Sequence, residues 1–467
     1  MSAEIQTDQE LQEENAWKDV LISEDNEALM LLINNVPPDG IANLINEMKE
    51  ANLVGVFNHL EPDAQRLLFE NLEYSHQWEL VQRLPVEKTR GLLNNISPDD
   101  RTDFFEELPQ EELSKWLGML SLEERKIATS LLRYPEESIG RMMTPEFISI
   151  KSSWTIERAL EHIRQNGHDS ETLNVIYVVD PLGKLLDDLR IREILLSPLD
   201  RKISDIMDEH CVSLNAYDDQ ETAIKVFKDT DRFALPVTDY GGMLVGIVTT
   251  DDVLDVIEQE DTEDIQKFGG MESLDMPYVK TPIMSLVGKR AGWLTILFLG
   301  EMLTATAMGF FEREIAKAVV LALFIPLIIS SGGNSGAQAA TLIIRAMALK
   351  EVTLEEWWLV MRREIISGLA LGVILGTIGF IRITVWQLFD WYNYGPHWVL
   401  IGITIFFTLV GIVMWGTLTG SMIPILLKKF KLDPATSSAP FVATLVDVTG
   451  LIIYFSIAAT ILSGTML

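Results

Sequence analysis

Cysteine is nearly missing from this chain: Cys211 is the only one in 467 residues. One thiol excludes an internal disulfide and suits a reducing cytosol. The first 14 residues lack an apolar core, so they are expected to be neither a secretory signal nor a transit peptide. Positive charge is also short, with 37 Lys and Arg against 68 Asp and Glu and a net charge of −31. A field of that sign repels nucleic acid and anionic headgroups and attracts cations, which argues against a nucleic-acid partner. The deficit is local. Residues 1–279 hold 24 of the basic and 58 of the acidic side chains, and the remainder holds 13 and 10. An acidic block therefore precedes a nearly neutral one, in a chain long enough for roughly two to four domains.

What the neutral part lacks is charge over long stretches. Apolar runs cover residues 293–311, 318–344, 365–389, 398–427 and 441–462. Each can cross a hydrocarbon core of about 30 Å, which needs about 20 helical residues. Five helices spanning a lipid bilayer are predicted, with Trp293, Trp357, Trp358, Trp391, Tyr392, Tyr394 and Trp398 at the interfaces. Lys280, Lys289, Arg290, Arg345, Lys350, Arg362, Arg363, Lys428, Lys429 and Lys431 fall on the side of the acidic block, whereas the opposite loops keep only Arg313 and Lys317. Cation excess marks the cytosolic face. The acidic half is thus predicted cytoplasmic and Leu467 external.

Two features inside the spans exceed what anchoring needs. The second run carries Pro326, Gly332, Gly333, Asn334, Gly336 and Gln338. Small residues suit close helix packing, but amides at that depth suit a water-filled path. The fifth run carries Asp447, with no basic residue in the segment. A carboxylate near the bilayer centre costs roughly 2.5–3.5 kcal/mol on insertion scales and marks an ion or proton path. Glu301 in the first run is a second such carboxylate, either in the path or protonated between helices.

The acidic half divides further. Up to about residue 135, Pro62, Pro85, Pro98 and Pro109 recur near the starts of short helical units with leucines at three- and four-residue spacing. A small superhelix of stacked helices is predicted. Residues 141–260 repeat with a period of roughly 60 residues. Each copy has an amphipathic helix (155–164, then 219–228), a strand–turn–strand (176–185, then 235–248) and a closing helix. This pattern resembles a tandem pair of CBS domains, regulatory modules that often bind adenine nucleotides. The second copy has Gly246, Thr249 and Asp252 in a Gly-h-h-Thr-x-x-Asp element, and the first has Arg192 and Glu193 there without a hydroxyl.

End to end, the chain resembles the MgtE magnesium channels. The matching motifs are Pro-x5-Gly-Gly-Asn-x-Gly-x-Gln at residues 326–338 and Ala-Thr-Leu-x-Asp-Val-Thr-Gly at residues 443–450. The resemblance implies a multidomain membrane protein. It comprises an all-α superhelical N domain (1–135), α/β tandem CBS domains (136–258), a plug or linker helix (259–284) and a five-helix transmembrane domain (285–467). It further implies a homodimer in a bacterial inner membrane that takes up Mg²⁺ along its two-fold axis, with Asp447 and Asn334 lining the path. Regulatory Mg²⁺ is implied at Asp99, Asp103, the Gly140 carbonyl, Glu221, Asp231, Asp252, Asp255, Glu260, Glu263 and Asp264, closing the channel when cytosolic Mg²⁺ is plentiful. Two departures stand out. Ala439 precedes Pro440 where the family often has Asn, and the positions that stack an adenine in some members are Val175 and Arg232, which argues against ATP.

Two other functions compete with Mg²⁺ transport. A CBS-regulated carrier of Co²⁺ or Mn²⁺ fits the carboxylate equally, although neither Cys nor His flanks Asp447. An intramembrane enzyme using Glu301 and Asp447 lacks a companion nucleophile or a His-Glu-x-x-His cluster, so no enzymatic activity is expected.

Overall fold

The computed structural model describes residues 15–22, 25–48, 51–208, 210–230, 232–274, 278–279 and 281–466. Asp231 and Leu467 lie outside these. The chain forms two compact units, residues 1–258 and 259–467.

The first unit begins as short helices from Asn26–Asn35 to Leu122–Leu131. Pro62 and Pro98 occupy first-turn positions, and Pro85 and Pro109 are the residues just before their helices. A fixed φ and a missing donor cost nothing there. A period of 24 residues holds the stack together. Asn46, Glu70 and Asn94 each accept the backbone N–H of a residue 27 positions on, namely Glu73, Ser97 and Ser121. Gln77, Arg101 and Arg125 each donate to a carbonyl eight positions back. Each two-helix unit thus has its free backbone groups satisfied by a neighbour, over a core that includes Leu68, Phe69, Phe104 and Phe105.

Two three-stranded sheets follow. Strands β1 (Ser149–Lys151), β2 (Val175–Val179) and β3 (Leu185–Arg190) form one; β4 (Leu214–Asn215), β5 (Ala234–Thr238) and β6 (Leu244–Thr249) form the other. In both, the first pair is parallel and the second antiparallel. Their hairpins are built alike. Asp180 Oδ1 accepts from the N–H groups of Leu182 and Lys184, as Asp239 Oδ1 does from Gly241 and Met243. Gly183 and Gly242 supply φ values of +93° and +78°, which L side chains resist. The hairpins also pair with each other: Leu185 N–H reaches the Gly242 carbonyl and Leu244 N–H the Gly183 carbonyl, both at 3.1 Å. The repeat is therefore a pseudo-symmetric pair. Its last helix, Thr250–Phe268, runs on past the strand–helix module. The linker thus has no helix start of its own at 259, and its helix ends ahead of Gly269 and Gly270.

In the second unit, five helices are long and apolar enough to cross a membrane: Ile283–Phe310, Val319–Ala348, Leu354–Leu388, Trp398–Lys429 and Ala439–Leu462. The first and third begin well before their apolar runs, at Ile283 and Trp357, so Lys289, Arg290, Arg362 and Arg363 are helical. The fourth helix packs against the second, third and fifth. Glycines make this possible. Gly332 and Gly336 of the second helix meet Gly416 and Gly420 of the fourth, while Gly368, Gly372 and Gly376 of the third lie on Met414, Val410 and Phe406. Four-residue spacing keeps each set on one face, and the missing Cβ atoms let backbones touch. The first helix leans mainly on the fifth and is otherwise exposed.

Candidate functional site

Proline and paired glycines inside a helix weaken it as a rule. The second helix is unbroken from Ile325 to Ala348, because Pro326 falls in its first turn. Its two faces divide the two readings of the sequence. Gly332, Gly333 and Gly336 are buried in packing, whereas Asn334 and Gln338 are exposed. Asn334 Nδ2 donates to Ser330 Oγ at 3.3 Å. Close packing explains the glycines and leaves the amides on an open face.

Asp447 comes to the same helix from the fifth. Its side chain is partly buried, and Oδ1 lies 3.6 Å from where a Cβ on Gly333 would stand. A larger residue at 333 would crowd the carboxylate. Among the described residues Asp447 has no hydrogen bond or ion pair, and Glu301 lies within its electrostatic reach. The end of the Thr250–Phe268 helix sits on these same two helices, with Phe268 packed on Ala340, Val442 and Val446. Lys267 Nζ bonds Glu263 at 2.5 Å and Asp433 at 3.1 Å. Gly270 fits under Trp293, whose Nε1 donates to Ser438 Oγ at 3.1 Å. Ser438 also caps the fifth helix.

The second concentration of acids lies in the first unit. The helix Pro98–Glu106 holds Asp99 buried, and Asp99 Oδ1 has no hydrogen-bond partner. Burial raises the Asp99 pKa. Asp100, bonded to Ser97 Oγ, is pushed up to about 9 by burial and by Asp99. Asp252 accepts from Thr249 N at 2.9 Å and Thr249 Oγ1 at 2.7 Å, fixing it in the first turn of its helix. Burial and then Asp99 push it to about 8. Glu146 is raised to about 7, again by burial and then Asp99. Asp103 is within electrostatic reach of Glu106, Asp99, Asp252 and Asp255. Gly140 is buried in the helix Ile139–Met142, which packs on Pro98–Glu106. Arg101, the one cation inside this helix, is turned away to Glu124 at 2.6 Å.

Asp99, Asp103, Asp252 and Asp255 are thus brought together from two distant stretches. Glu70 and Glu146, which act electrostatically on Asp99 or respond to it, join them without having been singled out in the sequence. Glu70 was legible only through the 24-residue period. Glu221 is instead paired with Lys225 at 3.0 Å. Glu260, Glu263 and Asp264 lie on the continuing helix.

Among the described residues, no three His, Cys, Asp or Glu side chains form a direct metal-binding set. The donors nonetheless suit a hydrated cation. They are all-oxygen, mutually repelling and include an orphaned buried oxygen, and Mg²⁺ keeps several waters and takes one or two carboxylates. The residues fit adenine less well. Neither position carries an aromatic ring: Val175 is buried in β2 and Arg232 is paired with Asp188.

Family models match most of the chain. The model of the MgtE intracellular N domain covers residues 36–137, CBS models cover 139–198 and 203–259, and the MgtE divalent cation transporter model covers 325–457. The magnesium transporter MgtE of Thermus thermophilus is 38% identical over 346 residues, 74% of this chain and 75% of that protein. The chain belongs to the MgtE family. This is a transporter family rather than an enzyme class. Magnesium transporter MgtE of Bacillus subtilis is 28% identical over 91% of this chain and 92% of its own. Among solved structures, the cytosolic domain of the Mg²⁺ channel MgtE in complex with ATP is 31% identical, with a TM-score of 0.47, over 50% of this chain and 95% of that one.

Proposed function

We propose that the chain is a Mg²⁺ channel, working as a homodimer, with residues 1–258 in the cytosol and the C-terminus outside. One observation carries this reading: an unpaired carboxylate, Asp447, rests on the glycine face of the helix that exposes Asn334 and Gln338. Two copies of Asp447 on a dimer axis balance a divalent charge. A Mg²⁺ ion with its waters intact is matched by carboxylate and amide oxygens rather than by soft ligands. The dense basic residues on the N-terminal side of the spans support the orientation.

Gating follows from the cytosolic acids. Asp99, Asp103, Asp252 and Asp255 repel one another, and their pairing across the N domain and CBS helix is unfavourable when all are ionised. Bound Mg²⁺ supplies the missing counter-charge there, with the Gly140 carbonyl nearby. Glu260, Glu263 and Asp264 extend the acidic surface along the same helix to Lys267, while Glu221 and Asp231 are assigned by family resemblance alone. Compaction of this helix holds Phe268 on the second and fifth spanning helices, and the path closes. Nucleotide has no part in this scheme.

The test is Mg²⁺ uptake into proteoliposomes with Co²⁺, Mn²⁺ and Ca²⁺ as competitors. Uptake that Co²⁺ or Mn²⁺ blocks at far lower concentration than Mg²⁺ would assign a different cargo.

A further inference from the structure

Between the last turns of the second spanning helix and the first turns of the third lies a cavity of about 580 Å³ that the ion path does not use. Its walls are apolar, from Leu342, Val352, Val360 and Ile366. Leu342 and Ile366 are largely exposed, which opens the cavity sideways toward hydrocarbon. Its mouth is charged. Val360, Arg363, Glu364 and Ser367 share one helical face by their spacing, and Glu351 approaches from the loop. Among the described residues, Arg363, Glu351 and Glu364 make no side-chain ion pair or hydrogen bond. Exposed Trp357 and Trp358 mark this level as a membrane interface.

We propose that this cavity binds a phospholipid whose headgroup carries both a phosphate and a primary ammonium. The guanidinium of Arg363 takes the phosphate, and Glu351 and Glu364 take the ammonium, which has donors for both. One cation beside two carboxylates disfavours an anionic headgroup. A choline headgroup has the charge but no N–H to give. The acyl chains lie along the apolar walls, where lipid is the ambient solvent. Ligation also relieves the cost of three unpaired charges at a bilayer boundary. The proposal needs only the membrane-spanning helices and does not depend on which ion is carried.

Native mass spectrometry of the full-length protein tests it, with phosphatidylethanolamine, phosphatidylglycerol and phosphatidylcholine of one acyl composition in equal amounts. Phosphatidylethanolamine is expected to be retained about tenfold over phosphatidylcholine, equivalent to about 1.4 kcal/mol. Glycerophosphoethanolamine without chains should not displace it. Arg363→Gln should abolish the preference, and the double change Glu351→Gln and Glu364→Gln should turn it toward phosphatidylglycerol. Ile366→Trp, which fills the cavity without altering charge, should lower retention of all three. Equal retention by the unmodified protein, or a preference for phosphatidylglycerol, overturns the proposal without any variant. So does unchanged retention in an Arg363→Gln protein that melts like the parent.

Discussion

Asp252 turns the acid cluster into a pH-dependent latch whose size follows from the structure. In the folded unit its pKa is pushed up to about 8 from an ordinary 3.8, by burial and by Asp99. The assembled form therefore holds a proton that an opened form releases. Its contribution to assembly is complete below about pH 4 and is lost as pH rises through about 8. For one group with these two values, linkage predicts a loss of about 2 kcal/mol between about pH 6 and pH 8, roughly fiftyfold in the opening equilibrium. Mg²⁺ reverses the trend, because the metal prefers the ionised carboxylate. Limited proteolysis of the full-length protein reads this, since cleavage follows the open population when reclosing is fast. In EDTA, cleavage in residues 1–258 should quicken roughly fiftyfold across that range. MgCl₂ should protect more at the upper end, and NaCl of equal ionic strength should do much less. Asp252→Asn keeps an acceptor for Thr249 but no titrating group, so its EDTA profile should flatten and its MgCl₂ protection weaken. A flat EDTA profile in the unmodified protein, or faster cleavage at the acid end, would mean that Asp252 holds no such proton in the assembled form.

Asn334→Leu should reduce Mg²⁺ flux more than thermal stability if the amide faces the path; a parallel loss of both in one preparation would make it a packing residue. Gly420→Val should destabilise the protein by about 3 kcal/mol or more of overpacking, read as a lower melting temperature, because a Cβ there meets the Gly336 backbone, while Gly91→Ala, with open space around it, should gain about 0.5–1 kcal/mol. Lys267→Met removes the cation between Glu263 and Asp433 and should leave flux higher at saturating internal Mg²⁺, read in patch recordings or vesicle uptake.

Much of the architecture was legible because bilayer burial writes long apolar runs and repeated modules write repeated turns. The duplicated Asp180 and Asp239 hairpins and the carboxylate at 447 are local signals of that kind. Helix ends in the membrane half were not legible. Apolarity reports only the hydrocarbon-facing part of a helix, and Lys289 or Arg363 can continue one while their charges reach the interface. The Gly368, Gly372, Gly376 and Gly416, Gly420 spacings were readable as packing faces, but which helix each would meet depends on tertiary geometry. The gathering of Asp99 with Asp252 depends on how the superhelix lies on the CBS pair, which no local pattern encodes. The 24-residue period was hidden because its capping role passes from Asn46 to Glu70 to Asn94, two residue types doing one job.

If Mg²⁺ passes Asp447, its flux depends on that carboxylate. Its most direct measurement is ²⁸Mg²⁺ or fluorescent-indicator uptake into proteoliposomes holding equal amounts of folded Asp447→Ala, Asp447→Asn and unmodified protein. Folding is matched beforehand by size-exclusion profile and melting temperature. Uptake is expected from the unmodified protein, with loss of flux in Asp447→Ala and loss of most flux in Asp447→Asn, since an amide keeps the shape without the charge. Uptake at the unmodified rate by a well-folded Asp447→Ala protein would contradict it.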